Sequence, residues 1–190
     1  MVDRLTSVAD IPIQNRLRPH RRAIQELATG KADFVSLFQS PANDKVGIRV
    51  GLITRVRVLL TSLAGDNPPA TIESLAGKSV GYIRGTYYGQ AFEQADRIRK
   101  VPVNSLRQAV EMLQLRRIDA LVSSDQALYR TLLAMNLSTN RFHTTAVIAS
   151  QSAWLYMSRK TPHPELLQPV RAAMKQLRET GELADIFRLP

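Results

Sequence analysis

The sequence contains no cysteine in 190 residues. That excludes disulfide bonds, cysteine nucleophiles and thiolate metal sites, and it leaves the redox compartment open. Histidine is scarce as well. His20, His143 and His163 stand apart, each beside a proline or in a polar stretch, so neither a metal cluster nor a bound cofactor is expected. No apolar run approaches the roughly 18 residues of a membrane span. The opening MVDRLTSVADIP lacks the apolar core of a secretory signal.

Negative charge is in deficit: 26 Lys and Arg stand against 16 Asp and Glu, a formal charge of +10. Such a balance suits nucleic acid or an anionic membrane. The basic residues are nonetheless spread along the chain, dense only at RLRPHRR (Arg16 to Arg22) and LRRID (Leu115 to Asp119). With no zinc-finger or aromatic RNA-binding motif, a solvated surface is the plainer reading and no nucleic-acid partner is expected.

Catalytic signatures are missing too. No serine sits in a nucleophile elbow with a histidine to serve it, and paired carboxylates cannot be read from spacing. What the chain does have is the balance of an ordinary folded protein, 44% hydrophobic and 22% charged. Its length allows one sizeable domain or two small lobes sharing a hinge.

Helix and strand signals follow one another in order. Arg18 to Leu27 reads as a helix stopped by Gly30, and Ala32 to Phe38 as a buried strand followed by a turn at Pro41-Ala42-Asn43-Asp44. Val46 to Leu63 is rich in β-branched residues and reads as extended, with TRVRVLLT alternating Val56, Val58 and Leu60. Beyond the loop GDNPPAT come a helical turn (Glu73 to Gly77), a strand (Lys78 to Ile83), a helix (Tyr88 to Arg99) and a strand (Lys100 to Val103). A helix capped near Asn104 or Ser105 follows, then a strand (Ile118 to Val122) and a helix (Asp125 to Met135). Thr144 to Tyr156 holds extended segments on either side of Ser150-Gln151-Ser152. Glu165 to Leu177 is amphipathic and stopped by Gly181. The alternation from Lys78 to Met135 has the rhythm of βαβ units and predicts a parallel α/β unit.

Two polar features lie where such a unit gathers ligands, at the carboxyl ends of its strands. In GYIRGTYYGQAFEQ, Gly85 frees backbone N–H groups and Thr86 adds a hydroxyl. The turn itself lacks the glycine-lysine-serine core of a nucleotide loop and the second glycine of a dinucleotide fingerprint. A small-ligand cradle and a bare strand-to-helix connection both fit it. In Ser123-Ser124-Asp125, the polar groups serve a ligand or Asp125 caps the next helix, and the cap is the plainer reading. Tyr87, Tyr88 and Trp154 offer rings for stacking, though such aromatics usually belong to a core or its rim.

In order along the chain, RRAIQELATGKADF, TRVRVLLTS, SLAGKSVGYIRGTYYGQAF, SLRQAVEMLQLRRIDALVSSD and MSRKTPHPELLQPVRAAMKQLRETGELADIF resemble the type II periplasmic solute-binding proteins. The resemblance is to family 3, the amino-acid-type binding proteins of ABC importers, and covers nearly the whole chain. It implies an α/β fold of two lobes joined by two crossing strands, closing on a small polar or anionic solute. Lobe one would be residues 1–55 plus 151–190, lobe two residues 63–145, with hinge strands near 56–62 and 146–156.

The same resemblance assigns binding positions. In lobe two, Arg84, Gly85, Thr86 and Tyr87 match the ligand-binding turn. The run Asp119 to Asp125 matches a DAxxxD pattern with one extra residue, so Ser124 stands where the family's ammonium-binding acid is expected, unless Asp125 shifts inward. In lobe one, Ser40 and Lys45 take the places of a threonine and a carboxylate-binding arginine, and Ser36 and Phe38 would line the cleft. A lysine there lacks arginine's bidentate fork.

The family's opening strand and helix have no counterpart in the sequence, so lobe one is expected to carry an uncovered strand edge that pairs with a second copy as a homodimer. The implied setting is the periplasm, with an ABC permease as partner and no catalytic function. Two alternatives share the fold: a dehydratase acting on prephenate-like acids, for which Asp125 and Glu93 would be the acids, and the sensing domain of a signalling protein.

Overall fold

The computed structural model describes residues 1–188, residue 149 by its backbone only, and its chain divides into two α/β units. Unit one consists of Met1–Arg55 with Ser152–Arg188, and unit two of Val56–Gln151. Residues 189 and 190, the end of the span expected for lobe one, lie outside the described residues, as does the side chain of Ala149 in the expected second crossing segment.

Unit one opens on two helices, α1 (Val2–Ala9) and α2 (His20–Thr29), followed by strand β1 (Phe34–Phe38) and helix α3 (Pro41–Val46). It also holds the first part of β2 (Gly47–Leu63), the last part of β6 (Phe142–Ser158), and helices α7 (Leu167–Glu179) and α8 (Glu182–Phe187). β1 pairs antiparallel with β6, Ser36 opposite Leu155, and lies at a sheet edge. The apolar stripe of α7 (Val170, Ala173, Met174, Leu177) buries against Val50, Ile53, Leu155 and Met157 of the strands, Leu5 of α1 and Leu183 of α8. Burial of this kind is the main source of stability for helices of such modest length.

Unit two carries β3 (Ser79–Ile83), α4 (Gln90–Gln94), β4 (Arg99–Val103), α5 (Leu106–Gln114), β5 (Ala120–Ser124) and α6 (Asp125–Ala134). Its strand order is β2-β5-β3-β4. β3 runs parallel to β4 and β5, as the βαβ rhythm predicts, while β2 is antiparallel to β5. Each face of this sheet has its own core. Leu59 and Leu121 pack with Ala109, Val110, Leu113, Leu128 and Leu132 of α5 and α6. On the other face Val58, Leu60, Val80 and Val122 pack with Ile72, Tyr88, Phe92 and Ile98.

Several expected boundaries differ. Pro41 to Asp44 is the start of a helix, not a turn, because the Ser40 hydroxyl accepts a hydrogen bond from Asn43 N–H at 3.1 Å and Pro41 suits the first helical position. The helix expected over Tyr88 to Arg99 shrinks to α4. The chain after it is drawn into pairing, with Gly77 N–H donating to Arg97 O at 2.8 Å and Arg99 N–H to Lys78 O at 2.8 Å. The strand expected at Ile118 to Val122 runs Ala120–Ser124, and the two extended segments around Ser150-Gln151-Ser152 are one strand, β6. α1 and α8 have no counterpart in the expectations. Each is a short helix whose single fully buried leucine, Leu5 or Leu183, is too weak a periodic signal.

Candidate functional site

In unit two, register brings the two polar features to the same end of three neighbouring strands. Gly81 is level with Leu121 in the parallel β3–β5 pair, so Ile83 and the turn after it reach the height of Ser123 and Ser124. Val58 lies opposite Ser124 in the antiparallel β2–β5 pair, which sets Arg57 beside Asp125. Neighbouring strands are about 4.8 Å apart, within side-chain reach.

The turn is built by Gly85, whose φ of 86° lies in the left-handed region open chiefly to glycine. Thr86 N–H donates to Ile83 O at 3.1 Å and Arg84 N–H to Val103 O at 3.1 Å, pinning the turn to β3 and β4. Among the described residues no group accepts a hydrogen bond from the N–H groups of Gly85 and Tyr87. Arg84 is exposed with no carboxylate partner among the described residues, Thr86 is buried and Tyr87 half-buried. Tyr88 belongs to the core: its ring meets Phe92 edge-on at 5.8 Å, and burial pushes its hydroxyl up to about 12.

Ser124 and Asp125 begin α6. The Ser124 hydroxyl accepts from Ala127 N–H at 3.3 Å, which makes Ser124 the helix cap and not Asp125, the residue expected there. Asp125 is the first helical residue and is buried; its Oδ1 accepts from Gln126 N–H at 2.8 Å and its Oδ2 from Arg57 Nε at 3.0 Å. Hydrogen bond and charge together hold the Arg57 guanidinium above its usual range. Sequence reasoning did not single out Arg57. Its only mark is a cation between the buried Val56 and Val58 of β2.

The four candidates of unit one are not gathered in the same way. Ser36 is exposed on β1 and Phe38 half-buried two positions on. Ser40 is buried, its hydroxyl engaged as the cap of α3, and Lys45 is exposed in the last turn of that helix. Beside them lies a polar chain the sequence did not reveal. Trp154 Nε1 donates to Gln39 Oε1 at 3.2 Å, and Arg49 lies 5.3 Å from the Trp154 ring centre, in cation–π range. Asp44 accepts from the Tyr156 hydroxyl at 2.8 Å, and burial beside that carboxylate raises the tyrosine's pKa. Elsewhere in unit one, a shallow hollow is lined by Arg21, Arg22, Glu26 and Lys31.

Among the described residues no group of three or more His, Asp or Glu side chains could hold a metal ion, and no helix is long and apolar enough to cross a membrane. What the strand ends of unit two offer is hydrogen-bond donors and positive charge.

No protein-family model matches the sequence, and no curated protein does. Solved structures do. The substrate-binding protein of an amino acid ABC transporter superposes with a TM-score of 0.81 at 16% identity, over 97% of this chain and 82% of that one. A histidine kinase sensor domain with similarity to periplasmic binding proteins gives 0.84 at 17%, over 97% and 81%. The amino acid ABC transporter substrate-binding protein AbpA from Streptococcus pneumoniae, bound to L-arginine, gives 0.82 at 15%, over 97% and 78%. At these identities the likeness is one of fold, and the chain has the α/β fold of the type II periplasmic binding proteins.

Proposed function

We propose that this chain is a solute-binding protein that captures a small polar or anionic molecule for an ABC importer, by binding without catalysis and outside the cytoplasm. The carrying observation is the fold likeness over 97% of the chain to the substrate-binding protein of an amino acid ABC transporter. The donor-rich end of the unit-two strands supports it, since ligands of open α/β sheets gather at the carboxyl ends of strands. In this reading residues 1–55 with 151–190 and residues 63–145 are the two lobes, and residues 56–62 and 146–156 the hinge strands. Arg84, Gly85, Thr86 and Tyr87 are the proposed lobe-two contacts, with Ser124 and Asp125 beside them engaged as helix cap and as partner of Arg57, and Ser36, Phe38, Ser40 and Lys45 are those of lobe one. Against the dehydratase alternative, the Asp125 carboxylate is tied to Arg57.

A second reading, the ligand-sensing domain of a signalling protein, is favoured by the likeness to a histidine kinase sensor domain. Both readings require a ligand. A thermal-shift screen of amino acids, polyamines and organic acids tests them together, because a ligand at 100 times its dissociation constant adds about 2.7 kcal/mol of stability. The double substitution Gly85→Val, Thr86→Ala, in which valine at the positive φ of residue 85 strains the turn, is expected to abolish the shift, with circular dichroism establishing that the variant is folded. An unchanged shift in that variant would make the turn a connection only, and a silent panel would remove the binding reading.

A further inference from the structure

Among the described residues, the carboxylate that the β2–β5 register sets at the carboxyl end of β5 is that of Asp125, and it is already occupied. Its Oδ2 holds Arg57 Nε at 3.0 Å, its Oδ1 holds the N–H of Gln126, and its side chain is 9% exposed. A cationic ligand group would have to displace a guanidinium that keeps half of its own surface in water. Ser124, one position earlier, is committed to capping α6. Among the described residues, this strand end therefore presents no free negatively charged acceptor.

Donors are in surplus at the same place. Arg57 and Asp125 cancel, and Arg84 remains exposed with no acidic partner among the described residues. The N–H groups of Gly85 and Tyr87 have no acceptor among the described residues. A cation beside unpaired N–H groups attracts an oxyanion, and arginine adds two donors in the plane of a carboxylate.

Resting on the solute-binding reading above, we propose that the ligand is a small organic acid without a cationic group, its carboxylate received by Arg84 and the 85–87 turn, with Arg57 acting as the internal counter-ion that closes Asp125 to ammonium groups. Selectivity against amino acids and polyamines then comes from one residue: Arg57 occupies the acceptor they would need, and an unpaired ammonium beside Arg84 is repelled.

Isothermal titration of the full chain with succinate and citrate, with glutamine, arginine and putrescine, and with inorganic phosphate tests the assignment. Succinate or citrate is expected to bind, with affinity at least tenfold weaker in Arg84→Gln. Arg57→Gln frees the Asp125 carboxylate and is expected to bring arginine or putrescine binding up by fivefold or more. Circular dichroism of both variants establishes that they are folded. Binding of glutamine, arginine or putrescine by the unaltered protein in preference to the acids overturns the ligand class while leaving solute capture standing. Phosphate binding as well as the organic acids overturns it as general anion attraction. Affinity indifferent to Arg84→Gln removes the site. If no probe binds at all, the solute-binding reading falls with it.

Discussion

Asp119 accepts two hydrogen bonds from one residue, Ser79: the hydroxyl at 2.6 Å and the backbone N–H at 2.7 Å. Asp119 N–H returns a bond to Ser79 O at 2.9 Å, so the start of β5 is clamped to the start of β3. These bonds, helped by Lys78 and Arg99, hold the Asp119 carboxyl below the usual aspartate value.

Ser79→Ala removes the hydroxyl arm of that clamp. Hydrogen bonds to a charged group are worth about 1.5–3 kcal/mol, but Asp119 is 45% exposed, so a loss of about 1 kcal/mol at neutral pH is expected after screening. The pH dependence has a definite sign. Because the folded-state pKa is depressed, the stabilisation is fully present above the unfolded value of about 3.9 and is lost as pH falls through the folded one. Urea midpoints of the parent and Ser79→Ala should converge on the acid limb. A gap that persists undiminished there would place the cost elsewhere.

Thr61, Ser62 and Ser123 carry buried hydroxyls with no hydrogen-bond partner among the described residues. Thr61 and Ser123 share a sheet face with Leu59 and Leu121, whose packing against α5 and α6 is apolar. Replacing an unsatisfied buried hydroxyl with a methyl of the same shape removes a desolvation cost. Thr61→Val is therefore expected to be neutral or to stabilise by up to about 1 kcal/mol, read as a rise in Tm. A fall by several degrees would mean the hydroxyl is satisfied by a bound water.

Gly89 precedes α4 with φ at 91°, and a Cβ there would crowd Ile148 Cδ1. The backbone conformation opposes a side chain, whereas the Ile148 methyl, the end of a flexible side chain, can turn aside. Gly89→Ala should cost more than about 1 kcal/mol. Gly65 has an ordinary φ and nothing within 4 Å of an added Cβ, so Gly65→Ala is the control and should be neutral or slightly stabilising. Equal effects in chemical denaturation would contradict the difference.

Leu177 is fully buried on the apolar stripe of α7, whereas Leu115 is 63% exposed after α5. Leu177→Ala leaves a cavity and is expected to cost about 2–5 kcal/mol; Leu115→Ala should stay within about 0.5 kcal/mol. Comparable losses in the two variants would show that α7 does not carry the core of unit one.

β1 lies at a sheet edge in unit one, and an unpaired edge is a template for pairing with a second copy. Sedimentation at high concentration is expected to show a dimer that a proline at the exposed Ser36 disperses. A monodisperse monomer under those conditions removes the pairing.

The parallel unit from β3 to α6 was legible because its signals are local: apolar residues at strand and helix periods, and Ser105 capping α5 by accepting from Gln108 N–H at 3.2 Å. The Gly85 turn was legible as a connection for the same reason, since a glycine between strand and helix marks a sharp connection wherever it occurs. Arg57 was not, because its partner lies 68 positions away and the pair exists only through the β2–β5 register. The Trp154–Gln39 bond spans 115 positions and was equally hidden.

From composition and order alone follow the absence of cysteine chemistry, the alternating α/β plan and the apolar faces that make a core, because each depends on residue type and short-range period. Tertiary structure decided how those parts act on one another. Strand pairing cut α4 short by drawing Arg97 and Arg99 onto Gly77 and Lys78, and it turned Asp125 from an available acid into the partner of Arg57. Register is a long-range property: a shift of one residue reverses every side chain, so the charge a strand end presents is set only when its neighbours are in place.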